Sequence, residues 1–329
     1  MPDVTPLTLR VAHARQLSPL IRLLCLQAQD GAALPGYTPG AHIQVRVRLA
    51  DGREDWRHYS LIELTGQEQA RKTPASYTIA VRLEEAGRGG SRFMHEGLQE
   101  GSVVQALPPR NDFPMHDGAP GAVLAAGGIG VTPLASMAAA RRAAGQPVRM
   151  VYAGRQRSHM AFLDELQALL GDALEVHADD ERGAALDAQA LVAACAADEH
   201  LYVCGPQVML DAVLAAAQAQ GMARERVHFE LFAAPVAEAG DGAFEIVLAQ
   251  SGQTLTVQAG QTILDCLLAN GHDPMFDCQR GECGVCAVDV LEGEVDHRDY
   301  VLSPSEKDSN KVIQICISRA KSPRLVLDM

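Results

Sequence analysis

The pattern of apolar and polar positions changes character along the chain. Over residues 7–114 short segments alternate with period two, such as His42-Ile-Gln-Val-Arg-Val-Arg and Tyr77-Thr-Ile-Ala-Val-Arg, and Gly/Pro turns interrupt them. Such alternation puts one face in a core and the other in water, which predicts strands of an antiparallel barrel. From residue 121 to 232 apolar runs at 122–126, 148–152, 174–177, 201–204 and 227–232 alternate with helical patterns at 134–144, 160–170 and 208–219. Strand and helix in alternation predict a doubly wound parallel α/β sheet. Residues 233–242, Ala-Ala-Pro-Val-Ala-Glu-Ala-Gly-Asp-Gly, have the small-residue composition of a linker. Beyond it Phe244-Glu-Ile-Val-Leu, a Ser251-Gly turn, Thr254-Leu-Thr-Val, a helix over 262–269 and a strand over 312–317 form a small α+β pattern. The expected domains are 1–117, 118–232 and 243–329, with 233–242 joining the last two.

Composition narrows the class. Of the 329 residues 47% are apolar and 21% charged, which belongs to folded protein rather than to disorder. The formal net charge of −13 is uneven: residues 1–120 hold as many cations as anions, whereas 121–242 and 243–329 are acidic. An acidic remainder repels nucleic acid, while the more cationic first third suits an anionic cofactor. No apolar run is long enough for a membrane span, and Asp3 and Arg10 interrupt any signal-peptide core, so a cytoplasmic protein is expected, and separately a monomer. The eight cysteines are then not read as disulfides.

Cys278, Cys283 and Cys286 are spaced C-x4-C-x2-C, and Cys316 follows after 29 intervening residues on a predicted strand. This is the spacing of plant-type 2Fe-2S ligands. Gly281 and Gly284 let the backbone wrap closely and aim amides at sulfur. A structural zinc site is the alternative, although four-cysteine zinc sites usually show two short pairs and here the fourth thiol is solitary. Cys25, Cys195 and Cys266 lie in apolar surroundings and read as small hydrophobes.

Gly127-Gly-Ile-Gly-Val-Thr-Pro follows an apolar strand and precedes an alanine-rich helix, where glycines permit close approach of a pyrophosphate to backbone amides. Pro133 falls in the first helical turn, where its missing N–H is harmless. A tight structural turn explains two of the glycines equally well. Cys204-Gly-Pro closes a later strand, the end at which open parallel sheets bind ligands. In the first domain Arg57 and Tyr59 share one face of a strand and His58 and Ser60 the other; Arg57 suits a phosphate and Tyr59 a planar ring. Gly87-Arg-Gly-Gly-Ser91 is read as ending in a helix cap for residues 92–98, a second anion site. Arg155 and Arg157 could meet a 2′-phosphate, and Arg141 and Arg142 are expected to face solvent.

In this order, Arg57-His-Tyr-Ser, Gly87-Arg-Gly-Gly-Ser, Gly127-Gly-Ile-Gly-Val-Thr-Pro, Cys204-Gly-Pro and the cysteine set, the chain resembles the phthalate dioxygenase reductases and vanillate O-demethylase reductases over nearly its full length. The resemblance implies an FMN-binding β-barrel, an NAD-binding α/β domain and a C-terminal β-grasp ferredoxin in one polypeptide, an oxidoreductase serving a Rieske-type oxygenase of aromatic acids. It implies that Arg57, Tyr59, Ser60, Arg82, Gly89, Gly90 and Ser91 line the flavin. Gly128, Thr132, Pro133, Cys204 and Gly205 would hold NADH, Phe232 would lie near the flavin–nicotinamide contact, and Cys278, Cys283, Cys286 and Cys316 would carry the cluster. Hydride from NADH would pass to flavin and leave singly to the cluster and on to the oxygenase, whose docking the acidic third domain could steer. A reductase serving another acceptor, such as a P450, is the alternative.

Overall fold

The computed structural model describes residues 5–85, 87–232 and 240–329. The chain divides into two compact units, Met1–Phe232 and Ala233–Met329. Residues 233–239, most of the expected linker, lie outside the described residues.

Six strands open the first unit: β1 (Leu7–Ser18), β2 (Ile21–Ala28), β3 (His42–Arg48), β4 (Glu54–Ser60), β5 (Tyr77–Arg82) and β6 (Val103–Ala106). They form one sheet in the order β4-β3-β6-β1-β2-β5, every adjacent pair antiparallel. Period two works as the sequence demands: Ile43, Val45 and Val47 are buried together with Leu9, Val11, Leu24, Leu26, Ile79 and Val81. The two edge strands, β4 and β5, approach where Ile62 N–H donates to Thr78 O at 2.9 Å. Between these strands sit α1 (Glu68–Lys72) and, after β5, α2 (Gly90–Arg92), which runs into a π-helical turn over Phe93–Gly97.

The second sheet holds β7 (Gly121–Gly127), β8 (Val148–Gly154), β9 (Leu174–Ala178), β10 (Glu199–Cys204) and β11 (Val227–Glu230), all parallel, in the order β11-β10-β7-β8-β9. The connections carry α3 (Val131–Ala143), α4 (Leu163–Leu170), α5 (Asp179–Arg182), α6 (Ala188–Ala193) and α7 (Gln207–Ala219). Strand order reverses at β7, so the crevice beyond the C-terminal ends of β7 and β10 is the switch point at which such sheets bind ligands. Both sheets share a core: Ile21, Ile62, Ala80 and Phe113 pack with Leu124, Leu134, Met137 and Tyr202. The expected boundary near residue 117 therefore falls inside one unit.

Arg141 departs from its expected solvent position. It is 2% exposed, and its guanidinium donates to Pro147 O (3.0 Å) and Ala119 O (3.0 Å), the carbonyls just before β8 and β7. Both sides of α3 are covered, so this arginine ties two strand entries together. Arg142 does reach the surface.

The second unit contains β12 (Phe244–Leu248), β13 (Thr254–Val257), α8 (Ile263–Ala269), β14 (Ala287–Glu292), β15 (Val295–Asp296), α9 (Pro304–Ser309), β16 (Val312–Gln314), β17 (Arg319–Ala320) and β18 (Arg324–Leu327). Its main sheet runs β13-β12-β18-β14-β16, with β15 paired to β17. Thr262 begins α8 with a reciprocal capping box to Asp265, the arrangement that satisfies two orphan amides at once. The expected strand over 312–317 stops at Gln314, and Cys316 sits in the turn that follows. Among the described residues no helix is long and apolar enough to cross a membrane.

Candidate functional site: a glycine crevice, a cationic edge and a paired-thiol loop

At the switch point two backbone segments touch without side chains between them. A Cβ on Gly130 would lie 2.1 Å from Cys204 O, and one on Gly127 would lie 2.6 Å from Pro206 Cδ and 3.0 Å from Gly205 Cα. The turn after β7 and the turn after β10 thus fix each other, which explains why both motifs carry glycine. Thr132 is buried and donates to Ile129 O at 3.0 Å, bracing the turn, and Pro133 occupies the third position of α3, where no helical bond is lost. Space beside Gly128 is open. The Cys204 side chain is fully buried and packs into the shared core. Phe232 stands two residues past the end of β11, which stops at Glu230 rather than continuing to 232, and is 39% exposed.

Arg155 and Arg157 follow β8, but Arg157 Nη1 lies 3.3 Å from Glu181 Oε2 of α5. The carboxylate cluster after β9 thus engages that cation.

On the first sheet Arg57 and Tyr59 pair with Val45 and Ile43 across β3 and share one face, as expected. Arg57 Nη1 is held by Asp55 Oδ2 (2.6 Å) and Trp56 O (2.9 Å). A Cβ on Gly90 would sit 3.1 Å from Val47 Cγ2 and 3.4 Å from Arg57 Nε, so the start of α2 nestles against the guanidinium in a space that a side chain would crowd. Burial pushes the Tyr59 phenol above its ordinary range, and Ser60 is buried at the end of β4. Arg82 lies on the opposite edge strand, β5, in an ion pair with Glu84. Ser91 does not cap a helix. Gly89, in a left-handed conformation, occupies the cap position, and Ser91 Oγ instead accepts from Glu84 N at 3.0 Å. The hydroxyl is two residues past the cap position, too far into the helix to reach the orphan amides.

In the second unit the four thiols interact in pairs. Cys283 lies beside Cys278 and Cys286 beside Cys316, and the Cys286 thiol donates to Gln314 Oε1 at 3.3 Å. The neighbouring Cys316 brings the Cys286 thiol down to about 7 and is itself pushed up, while burial raises Cys283. Among the described residues no three His, Cys, Asp or Glu side chains converge as a single bound ion requires. Four cysteine thiols are the donor type that a 2Fe-2S centre takes. The loop fits that group in two further respects. Arg280 N–H donates to Cys278 Sγ at 3.3 Å, and Gly281 has φ +76° with its would-be Cβ 2.8 Å from Ile317 Cγ2. Cys286 and Cys316 are buried and Cys283 is exposed.

Sequence reasoning missed several participants. Asp55 orients Arg57, and a signal existed in its i, i+2 placement on the same strand face. Asp299, 2% exposed, accepts from Leu302 N at 2.8 Å and packs its Cα under Gly281; no local pattern marks it. His200, His228 and His116 stack beside Tyr202, with His200 Nδ1 2.8 Å from His228 Nε2, a cluster only the sheet register assembles.

A parallel sheet with a glycine-built switch point, a cationic sheet edge and a 2Fe-2S-type loop in one chain define a modular iron–sulfur oxidoreductase. Residues 246–321 match the family described as a 2Fe-2S iron-sulfur cluster binding domain, and residues 102–227 match the N-terminal domain of dimethylamine monooxygenase subunit DmmA-like proteins. The tetrachlorobenzoquinone reductase of Sphingobium chlorophenolicum is 41% identical, covering 99% of both chains. The vanillate O-demethylase oxidoreductase of Pseudomonas sp. (strain HR199 / DSM 7063) is also 41% identical, over 91% of this chain and 92% of that one. Among solved structures, phthalate dioxygenase reductase superposes with a TM-score of 0.71 at 33% identity, covering 98% of each chain. An intact type IV self-sufficient cytochrome P450 monooxygenase gives 0.71 at 35% identity, but there this chain spans only 41% of the larger polypeptide. The chain belongs to the phthalate dioxygenase reductase and vanillate O-demethylase reductase family.

Proposed function

We propose that the protein is the NADH-dependent reductase component of a Rieske-type oxygenase acting on aromatic acids. The observation that carries this reading is the presence, in one chain, of a glycine-built switch point and two thiol pairs in a plant-type ligand spacing. Hydride taken from NADH by bound flavin would be released as single electrons to a 2Fe-2S centre.

The chain's own residues position those groups. Arg57, beside the glycine start of α2 at Gly89 and Gly90, binds the flavin phosphate, with Ser91 fixing that turn to Glu84. Tyr59 and Ser60 on β4 and Arg82 on β5 flank the ring from the two edges of what serves as a flavin barrel. FMN is the flavin that the family resemblance supports. Gly128, Thr132, Pro133, Cys204 and Gly205 form the nicotinamide crevice, and Phe232 stands at its mouth. Cys278, Cys283, Cys286 and Cys316 hold the cluster in a β-grasp ferredoxin domain. No side chain is asked to move a proton, so the work of the protein is placement.

Anaerobic visible spectra before and after NADH, with the released flavin identified, test this reading. Flavin and iron–sulfur bands that both bleach, with FMN released, are expected. Protein holding zinc and lacking iron–sulfur absorption overturns it. The likeness to part of a P450 monooxygenase chain favours a haem acceptor as the second reading. Faster reoxidation of the reduced protein by a P450 than by a Rieske oxygenase would select it.

A further inference from the structure

The loop between Cys278 and Cys283 carries an ion pair that ligand spacing does not require. Arg280 Nε lies 3.2 Å from Glu282 Oε2, and the two side chains are only 8% and 14% exposed. Arginine and glutamate are rarely so buried on a short loop, where solvated charges are the ordinary arrangement. The backbone between them is immobilised: Gly281 packs against Ile317 and Asp299, and its carbonyl accepts from Tyr300 N at 3.0 Å. Both charges are thus rooted between two ligating positions and screened little by water.

We propose that Arg280 and Glu282 set the reduction potential of the cluster held by the four thiolates, with opposite signs; this rests on the 2Fe-2S reading above. Reduction adds negative charge to a centre already negative through its thiolates. A buried cation nearby favours the reduced state, and a buried carboxylate disfavours it. Seen from the cluster the pair partly cancels, so removing one member unmasks the other. Neither residue ligates iron. They are positioning residues that act through the field they place at the cluster.

The test is an EPR-monitored redox titration of the full-length protein, with iron and acid-labile sulfide measured on each sample. Arg280→Gln is expected to lower the cluster potential and Glu282→Gln to raise it. The double variant should fall between them, near the wild type, and Arg280→Lys should restore most of the Arg280→Gln shift. Shifts of the same sign, or no shift in variants with full iron content, overturn the proposal. Should Arg280→Gln fail to assemble a cluster, Glu282→Gln alone decides: an upward shift supports the proposal and an unchanged or lower potential refutes it. A wild-type protein without a 2Fe-2S signal would instead defeat the underlying cofactor assignment.

Discussion

Replacing Gly130 by alanine isolates the steric demand of the glycine crevice. Gly130 has φ −60° and ψ −8°, which any residue adopts, so no backbone penalty attaches to the substitution. The new Cβ would nevertheless lie 2.1 Å from Cys204 O and 2.7 Å from Gly205 N. Ordinary contact requires about 3.4 Å, so the turns after β7 and β10 must part by roughly 1 Å, against a closely packed backbone that cannot rotate away. Overpacking costs about 1–3 kcal/mol, and a backbone neighbour places this case at the upper end. For a unit of this size about 3 kcal/mol lowers the melting temperature by roughly 6–12 °C. Gly128→Ala is the control: its φ of +53° costs an alanine about 1 kcal/mol, but nothing lies within 4 Å of the added methyl. Thermal unfolding should rank Gly130→Ala well below Gly128→Ala. NADH-dependent ferricyanide reduction should show a raised KM in both, since the open side of Gly128 is where the nucleotide would approach. A Gly130→Ala protein as stable as the wild type, or less affected than Gly128→Ala, refutes the argument that the two turns lock one another.

Two further outcomes follow from charge burial. Asp241 receives Arg298 through both oxygens, at 3.0 and 2.5 Å, with side chains 8% and 14% exposed, and Arg319 lies 3.7 Å away; because removing one partner of a buried pair costs about 3–5 kcal/mol, Asp241→Ala should lower the unfolding transition of the second unit by more than about 10 °C in calorimetry. His228 is held down to about 4, chiefly by burial and then by His200 and His116. Its folded value lies below its unfolded one, so its contribution to stability is full above about pH 6.5 and is lost as pH falls toward 4. Urea unfolding between these limits should show a steeper acid loss in the wild type than in His228→Gln, and parallel curves would exclude the histidine as the cause.

What the sequence made legible depended on how local the cause was. The strands His42–Arg48 and Tyr77–Arg82 were readable to the residue because period two is a property of the strand itself. The cysteine spacing and the glycine turn were readable because a cluster and a close backbone contact each demand particular residue types. The strand over 312–317 was overextended because Ile313, Ile315 and Ile317 are all buried, so apolar alternation continues through a turn that carries Cys316 to Cys286. Arg141 was misplaced because charge predicts exposure only where water is available. The carbonyls it serves come from loops more than twenty residues upstream as well as from the nearby β8 entry. The pairings Asp241–Arg298 and His200–His228 depend on chain crossings that no window of sequence contains.

Other long-range contacts, made through α3, hold the first sheet and the parallel sheet in one unit. Helix α3 begins at the Gly128–Gly130 turn, and at its centre the fully buried Ser136 donates to Leu61 O at 2.8 Å and accepts from Glu63 N at 2.9 Å. Leu61 directly follows Ser60, the last residue of β4, so a single hydroxyl ties the edge strand that carries Arg57 and Tyr59 to the helix that follows the glycine turn. Gly66 reinforces the contact, since a Cβ there would lie 2.5 Å from Ala139 O of the same helix. Glu63 is in turn anchored by Arg71 at 3.0 Å. If Arg57 and Tyr59 hold the flavin and the glycine turn the nucleotide, as proposed, sites on separately mobile sheets would have to find each other at every turnover. With both ends of α3 committed, one to the glycine turn and the other, through Arg141, to the entries of β7 and β8, the distance between the two sites is set by packing before any ligand arrives.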